Sequence, residues 1–280
     1  LKLMRKLKIK CVIHEQNSVP GKANKVLSQI ANLVCVSLKD TIDYFPKNKT
    51  VFTGNPVSEN ALLAKPMPKK NLGLNDNKKL VLFVMGSLGA TTVNNIIVSS
   101  FAKLAKEDYE VLFITGKKDY ENVIKNKIPA SIHVYPYIDG LSGILKNTDL
   151  IVTRAGASTI SEVIALRVPS ILIPSPYVPD DHQTKNAKSL VKEKAAIILP
   201  EKELTEDTNM LGYTSLPAEG IEEVARYLTN NLDYLADFRE SNNKFVVSDI
   251  VKKDTADKLE TVVKNYLPDL EWLTQDYKVF

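Results

Sequence analysis

The segment Ala155-Gly156-Ala157-Ser158-Thr159-Ile160-Ser161-Glu162 has the residue types needed to hold a phosphate. It directly follows the apolar run Asp149-Leu150-Ile151-Val152 and opens a helical pattern, which predicts a strand-to-helix turn. Small residues let a ligand approach the backbone, while the free N–H groups and dipole of a new helix favour an anion. Glu162, one turn in, offers a carboxylate that could accept ribose hydroxyls. An ordinary Ser/Thr cap with a capping-box glutamate is the bland alternative.

A second turn has the same character. The buried-strand run Leu80 to Met85 leads into Gly86-Ser87-Leu88-Gly89-Ala90 and then a helical stretch from Thr91 to Lys106. A lone pair of glycines there can serve geometry alone. Two such turns on one sheet carry more weight, because successive parallel strands put their carboxyl ends on one edge, where open α/β sheets bind ligands.

The elements that must position these turns follow from periodicity. From Leu80 onward short apolar strands alternate with helical segments: Leu80 to Met85, Glu110 to Thr115, Ser131 to Tyr135, Leu150 to Thr153, Ser170 to Ile173 and Ala195 to Leu199. The alternation predicts right-handed crossovers and an α/β fold built on a doubly wound parallel sheet. Earlier, Lys10 to His14, Leu33 to Ser37 and Lys49 to Thr53 read as strands and Gly21 to Ala31 as a helix, too little for an independent sheet. Asn55 to Asn71, with three prolines and three lysines, has the composition of an exposed linker. Gly220 to Leu232 and Asp249 to Tyr266 look helical, Thr205 to Pro217 is irregular, and Leu267 to Phe280 has no clear period. The expected division is 1–58, a linker over 59–71, a second domain over 72–245, and a terminal helix and tail over 246–280.

With 280 residues and 44% hydrophobic content, the chain can bury a substantial core. No apolar stretch approaches the roughly 18 to 20 residues needed to span a bilayer, and no signal-peptide pattern is present, which points to the cytoplasm. Cys11 and Cys35 lie in apolar runs and read as buried thiols, not a zinc site or disulfide framework. Metal catalysis therefore has little support in the sequence. The net charge of +4 is modest, but Lys2, Arg5, Lys6, Lys8 and Lys10 alternate with apolar residues, a pattern suited either to an anionic membrane surface or to the solvated end of a helix. No nucleic-acid motif is present.

Six segments in order resemble the MurG family of glycosyltransferases. They are His14-Glu15-Gln16-Asn17-Ser18-Val19-Pro20-Gly21 with Asn24-Lys25, Thr53-Gly54-Asn55-Pro56-Val57, Gly86 to Ala90, Tyr137-Ile138-Asp139, Arg154 to Glu162, and Asp181-His182-Gln183 with Asn186-Ala187. The resemblance implies a GT-B fold, with a Rossmann-like C-terminal domain that binds UDP-N-acetylglucosamine and a remnant of the N-terminal acceptor domain. It implies inverting transfer of N-acetylglucosamine to undecaprenyl-pyrophosphoryl-muramyl-pentapeptide in peptidoglycan synthesis, by a peripheral enzyme at the cytoplasmic face of the cell membrane, without a tightly bound cofactor or metal. Carried over by motif, Ser87 would touch the diphosphate and Ile138 would hold uracil through its backbone. Ala157, Ser158, Thr159, Ile160 and Ser161 would form the helix-terminus site, Glu162 would bind ribose, and Gln183 and Asn17 would reach the sugar. Read locally, Ile138 is also core, His182 a helix-start residue, Asn17 the holder of its own Asx turn, His133 structural, and His14 a loop-fixing residue.

The sequence departs from the family in three places. The glycine-rich Gly-Gly-x-Gly-Gly-His turn, whose histidine is the family's candidate general base, is not found, so the catalytic base is unassigned and a fragment or mis-started reading frame is the simplest expectation. Ser58 stands where many members have arginine after Gly-Asn-Pro-Val, which places a cationic cleft contact in doubt, and Asn209 to Glu219 fits poorly. Two rivals follow: a donor-binding subunit that needs a separate acceptor domain, and another UDP-sugar enzyme of the same fold, an epimerase or a diacylglycerol glycosyltransferase.

Overall fold

A computed structural model describes Leu7 and residues 10–86, 90–192 and 196–204. Ser87, most of the basic first ten residues, and the helices expected at Gly220 to Leu232 and Asp249 to Tyr266 lie outside the described residues, as does everything beyond Leu204.

Two parallel sheets form the framework. The larger contains β4 (Lys79–Val84), β5 (Tyr109–Ile114), β6 (Ile132–Tyr135), β7 (Leu150–Thr153), β8 (Ser170–Leu172) and β9 (Ile197–Ile198), in the order β6-β5-β4-β7-β8-β9. All five pairings are parallel. This is the doubly wound arrangement, and the strand order reverses between β4 and β7.

Alternation along the strands explains why their runs are continuously apolar. Val81, Phe83, Val111, Phe113, Val152 and Ile171 point to one face, where they meet Val93 and Ile97 of α3 (Thr91–Ser99) and Phe101 and Leu104 of α4 (Phe101–Leu104). Phe113 packs edge-on against both Phe83 and Phe101. Leu80, Leu82, Val84, Leu112 and Ile151 point to the other face, against Ile144 and Leu145 of α6 (Leu141–Leu145) and Val163 of α7 (Ala157–Leu166). A sheet covered on both sides needs apolar residues at both parities. The short helix Tyr120–Val123 is α5, and α8 (His182–Lys192) lies beside β9 and α7.

Three expectations are corrected. The early strands β1 (Val12–Glu15), β2 (Leu33–Val36) and β3 (Thr50–Phe52) do make a sheet of their own, in the order β1-β2-β3, with α1 (Lys22–Ser28) connecting the first two. All four residues of β2 are fully buried, and the sheet gains cover from the larger half: Leu38 and Phe52 join a cluster with Ala155, Ile160, Ile164, Leu172, Ala187 and Leu190. The segment expected as an exposed linker begins as α2 (Pro56–Leu63). Pro56 occupies the first helical position, Asn55 caps it by accepting the Val57 N–H at 3.2 Å, and Ser58 and Ala61 are sealed where α2 crosses α7. The helix expected from Thr91 to Lys106 breaks at Ser100, whose hydroxyl donates to the Ile96 carbonyl.

Candidate functional site

In the larger sheet Val84 pairs with Thr153, so β4 and β7 end level and release their following turns side by side. The first leaves β4 through Gly86 and reaches α3 at Ala90, the second is Arg154 to Gly156, and both strand ends stand where the strand order reverses. Crossovers leave in opposite directions there, which opens a crevice beyond the strand ends.

Both helices that leave this crevice have N-termini without a side-chain cap. Ala90 caps α3 and Gly156 caps α7, and neither cap residue supplies a side-chain hydrogen bond to its helix start. The capping-box alternative is thereby excluded: Glu162 lies well past the third helical position. Gly86 has φ +86°, a left-handed value that favours glycine. Gly156 has φ −70° and ψ 143°, open to any residue, and a Cβ added there would meet nothing within 4 Å. Space, not backbone strain, is what glycine supplies at that position. The first turn of α3 is pinned by the buried Asp119, which accepts from Thr91 Oγ1 and Asn94 Nδ2, each at 2.8 Å.

Along α7 the expected residues separate by role. Ala157 and Thr159 are half-buried and Ser158 is exposed, with Ser158 Oγ 3.5 Å from Gln16 Oε1 of the first half. Ile160 is core, and Ser161 donates back to the Ala157 carbonyl at 2.8 Å, so these two contribute backbone and packing. Glu162 is half-buried, and Ser142 donates to its Oε1 at 2.7 Å. Burial raises the carboxyl pKa above its usual value, and the Ser142 bond partly offsets this.

The His14–Asn24 loop is organised by a residue to which sequence reasoning gave no role. Glu15, 2% exposed, accepts the Asn17 N–H and Asn17 Nδ2 on Oε1, and the Gly21 N–H and Asn24 Nδ2 on Oε2, at 2.9 to 3.1 Å. Asn17 therefore bonds backward to Glu15 and across to Asn186 rather than closing an Asx turn of its own. His14 Nε2 sits 3.1 Å from the Gly54 carbonyl and 3.2 Å from Ser37 Oγ, and desolvation lowers its pKa, keeping it neutral and fixing the loop as expected. A glutamate at a strand end gave no period or spacing signal, and Ser142 gave none either.

The remaining candidates lie on the same edge. Ile138, in the loop after β6, packs against the core, which agrees with its local reading. His182 begins α8, and Gln183 Oε1 accepts the Ser175 N–H at 2.8 Å. Asp180 and Asp181, just before them, both have positive φ, 52° and 53°. Arg154 Nη1 donates to the Ile173 carbonyl at 3.2 Å, and Nη2 lies 2.7 Å from Glu201 Oε2, off the line of a hydrogen bond, so this arginine serves the framework. Ser58 does not face an open cleft: it is fully buried and donates to the Ser161 carbonyl at 3.1 Å. Cys35 is buried and Cys11 only half-buried. Among the described residues no group of three or more His, Cys, Asp or Glu could hold a metal ion, and no helix is long and apolar enough to cross a membrane.

Comparison with known proteins agrees with this geometry. Residues 80–212 match the glycosyltransferase family 28 C-terminal domain. Over 207 residues the chain is 44% identical to the UDP-N-acetylglucosamine–N-acetylmuramyl-(pentapeptide) pyrophosphoryl-undecaprenol N-acetylglucosamine transferase of Halalkalibacterium halodurans, covering 72% of this chain and 57% of that protein. The chain thus spans a little over half the length of the curated relatives it matches. MurG of Acinetobacter baumannii superposes with a TM-score of 0.67 at 26% identity, over 94% of this chain and 68% of that one. A putative UDP-N-acetylglucosamine 2-epimerase from Listeria monocytogenes has a TM-score of 0.64 at 12% identity, over 95% of this chain and 70% of that one, and shares the fold alone. The fold is therefore of GT-B type, and residues 80–212 carry the glycosyltransferase family 28 C-terminal domain, with transferases named as MurG among the chain's relatives.

Proposed function

We propose that the chain carries the donor-binding half of an inverting transferase that moves N-acetylglucosamine from UDP-N-acetylglucosamine to the lipid-linked muramyl-pentapeptide. The observation that carries the reading is the pair of uncapped helix starts at one strand-order reversal, with Glu162 one turn inside α7. The diphosphate would lie at the start of α7, where N–H groups and the helix dipole oppose the negative charge that grows on departing UDP. Ser87, next to Gly86 in sequence, would face the same group. Glu162, with Oε1 already held by Ser142, would accept ribose hydroxyls through Oε2. The Ile138 backbone would hold the uracil, and Gln183 and Asn17 the sugar.

In the reaction the acceptor oxygen bonds to the anomeric carbon as the bond to UDP breaks, with inversion, and the acceptor proton passes to a base. The residues named above include no candidate for that base. Because the acceptor is lipid-linked, the proposed setting is the cytoplasmic membrane surface, reached peripherally.

Calorimetric titration of the chain with UDP-N-acetylglucosamine, and with UDP-glucose as the control, tests the donor site. Saturable binding that favours the N-acetyl sugar is expected. A folded chain that binds neither nucleotide sugar would overturn the reading.

A further inference from the structure

We infer that Asn186 is a positioning residue for the donor sugar: its buried carboxamide ties the Asn17–Ser18 loop of the smaller sheet to the β7–α7 turn of the larger one and so fixes where Asn17 stands. The inference rests on the donor-site reading above. Asn186 is 2% exposed and uses every hydrogen-bonding position of its amide. Oδ1 accepts the Ser18 N–H at 2.9 Å and the Ser18 hydroxyl at 3.1 Å. Nδ2 donates to Asn17 Oδ1 at 3.1 Å and to the Ala155 carbonyl at 3.3 Å.

Each partner matters to the site. Ala155 is the residue before the α7 cap Gly156, and its carbonyl, part of the larger half's framework, holds the Asn186 amide in place. The other proton of that amide anchors Asn17, whose Nδ2 is held from the opposite side by Glu15 Oε1 at 3.0 Å. Asn17 is thereby clamped between two buried side chains, with one N–H and one lone pair left for a ligand. Thr41 closes the loop from below, its hydroxyl within 3.1 Å of the Asn17 carbonyl and 3.2 Å of that of Ser18. Asn186 also lies one helical turn beyond Gln183 on α8, so sugar-side and phosphate-side residues are referred to one fixed point. Few side chains could do this. Aspartate would set a carboxylate oxygen against Asn17 Oδ1 and the Ala155 carbonyl, and alanine would leave four polar groups, one buried and three half-buried, without this partner.

The test is titration of wild type, Asn186→Ala, Asn17→Ala and the double variant with UDP and with UDP-N-acetylglucosamine. If Asn186 acts through Asn17, Asn186→Ala keeps its UDP affinity within roughly twofold yet loses about tenfold for the nucleotide sugar, the size of one hydrogen bond. The double variant then binds the sugar nucleotide no more weakly than Asn17→Ala does. Equal losses for both ligands, or additive losses in the double variant, would overturn the inference and leave Asn186 a structural residue. If Asn186→Ala does not fold, Ser18→Ala removes only the hydroxyl from the network, and the same comparison decides: selective loss for the sugar nucleotide supports the inference and equal or no loss overturns it. Wild type that binds UDP but gains nothing from the sugar overturns this inference alone. Wild type that binds neither ligand sinks the donor-site reading and this inference with it.

Discussion

Burial pushes the Glu162 carboxyl upward, and the 2.7 Å bond from Ser142 returns only part of that cost. A carboxyl whose folded pKa lies above its unfolded value of 4.5 gives its full stabilisation below that pH, and loses it as pH rises through the folded value. At neutral pH the ionised Glu162 therefore weighs against the fold. On the proposed donor-site reading, that charge would offer a ribose hydroxyl a charge-assisted hydrogen bond. Glu162→Gln preserves an acceptor for Ser142 without the charge. Its melting temperature should exceed that of wild type at pH 7 to 8, with the difference shrinking as the pH approaches 4. UDP binding should weaken in both Glu162→Gln and Glu162→Ala, in the latter by about 1 to 3 kcal/mol. Thermal melts across pH and calorimetry check the two halves separately, and unchanged UDP affinity would reduce Glu162 to a packing residue.

At the scale of the element, Gly156 isolates what α7 contributes. Its backbone suits any residue and its Cβ would enter open space, so the fold does not require glycine there. Gly156→Asp supplies the missing cap and a charge that suits the dipole, and should stabilise the protein by a few tenths of a kcal/mol or more. The same carboxylate would face the diphosphate, and at about 4 Å two such charges repel by several kcal/mol at an effective permittivity near 20. Higher stability with UDP binding reduced by at least about tenfold is expected; unchanged binding would mean that the diphosphate does not use this helix start. The elements themselves were legible because each strand of the larger sheet is a short apolar run bounded by turn residues, and Leu150–Thr153 matches to the residue. Asn55-Pro56 read as linker composition although it is also a cap followed by a first-turn proline, and nothing local says that Ser58 and Ala61 will be covered by α7. The partners of Asn186 were hidden for the same reason: they lie 31 to 169 residues away in sequence, and only the folded chain brings them together. Those of Glu15 lie within nine residues, but their spacing of two, six and nine follows no helix or strand period.

Across the whole molecule, the smaller sheet has three strands of three or four residues, and its cover is shared with the larger one. So small a parallel sheet cannot bury enough surface to stand alone. Leu38 is the smaller half's buried member of the cluster with Ala155, Ile160, Ile164 and Leu172, so the two sheets should unfold together. Cys35 provides a reporter within β2: burial pushes its thiol up to about 12, against a weaker opposing bond from Thr53, so it loses its proton and meets thiol reagents only when that sheet opens. In a Cys11→Ser background, the urea midpoint for Cys35 labelling should coincide with that for loss of far-ultraviolet circular dichroism, which is dominated by the larger half. Leu38→Ala should destabilise by about 2 to 4 kcal/mol and move both midpoints together. If Leu38→Ala advanced the labelling curve alone, the smaller sheet would be opening as a separate unit. The clamp through Asn186 would then hold Asn17 only while that sheet stayed closed, and sugar binding, but not UDP binding, would fall with it.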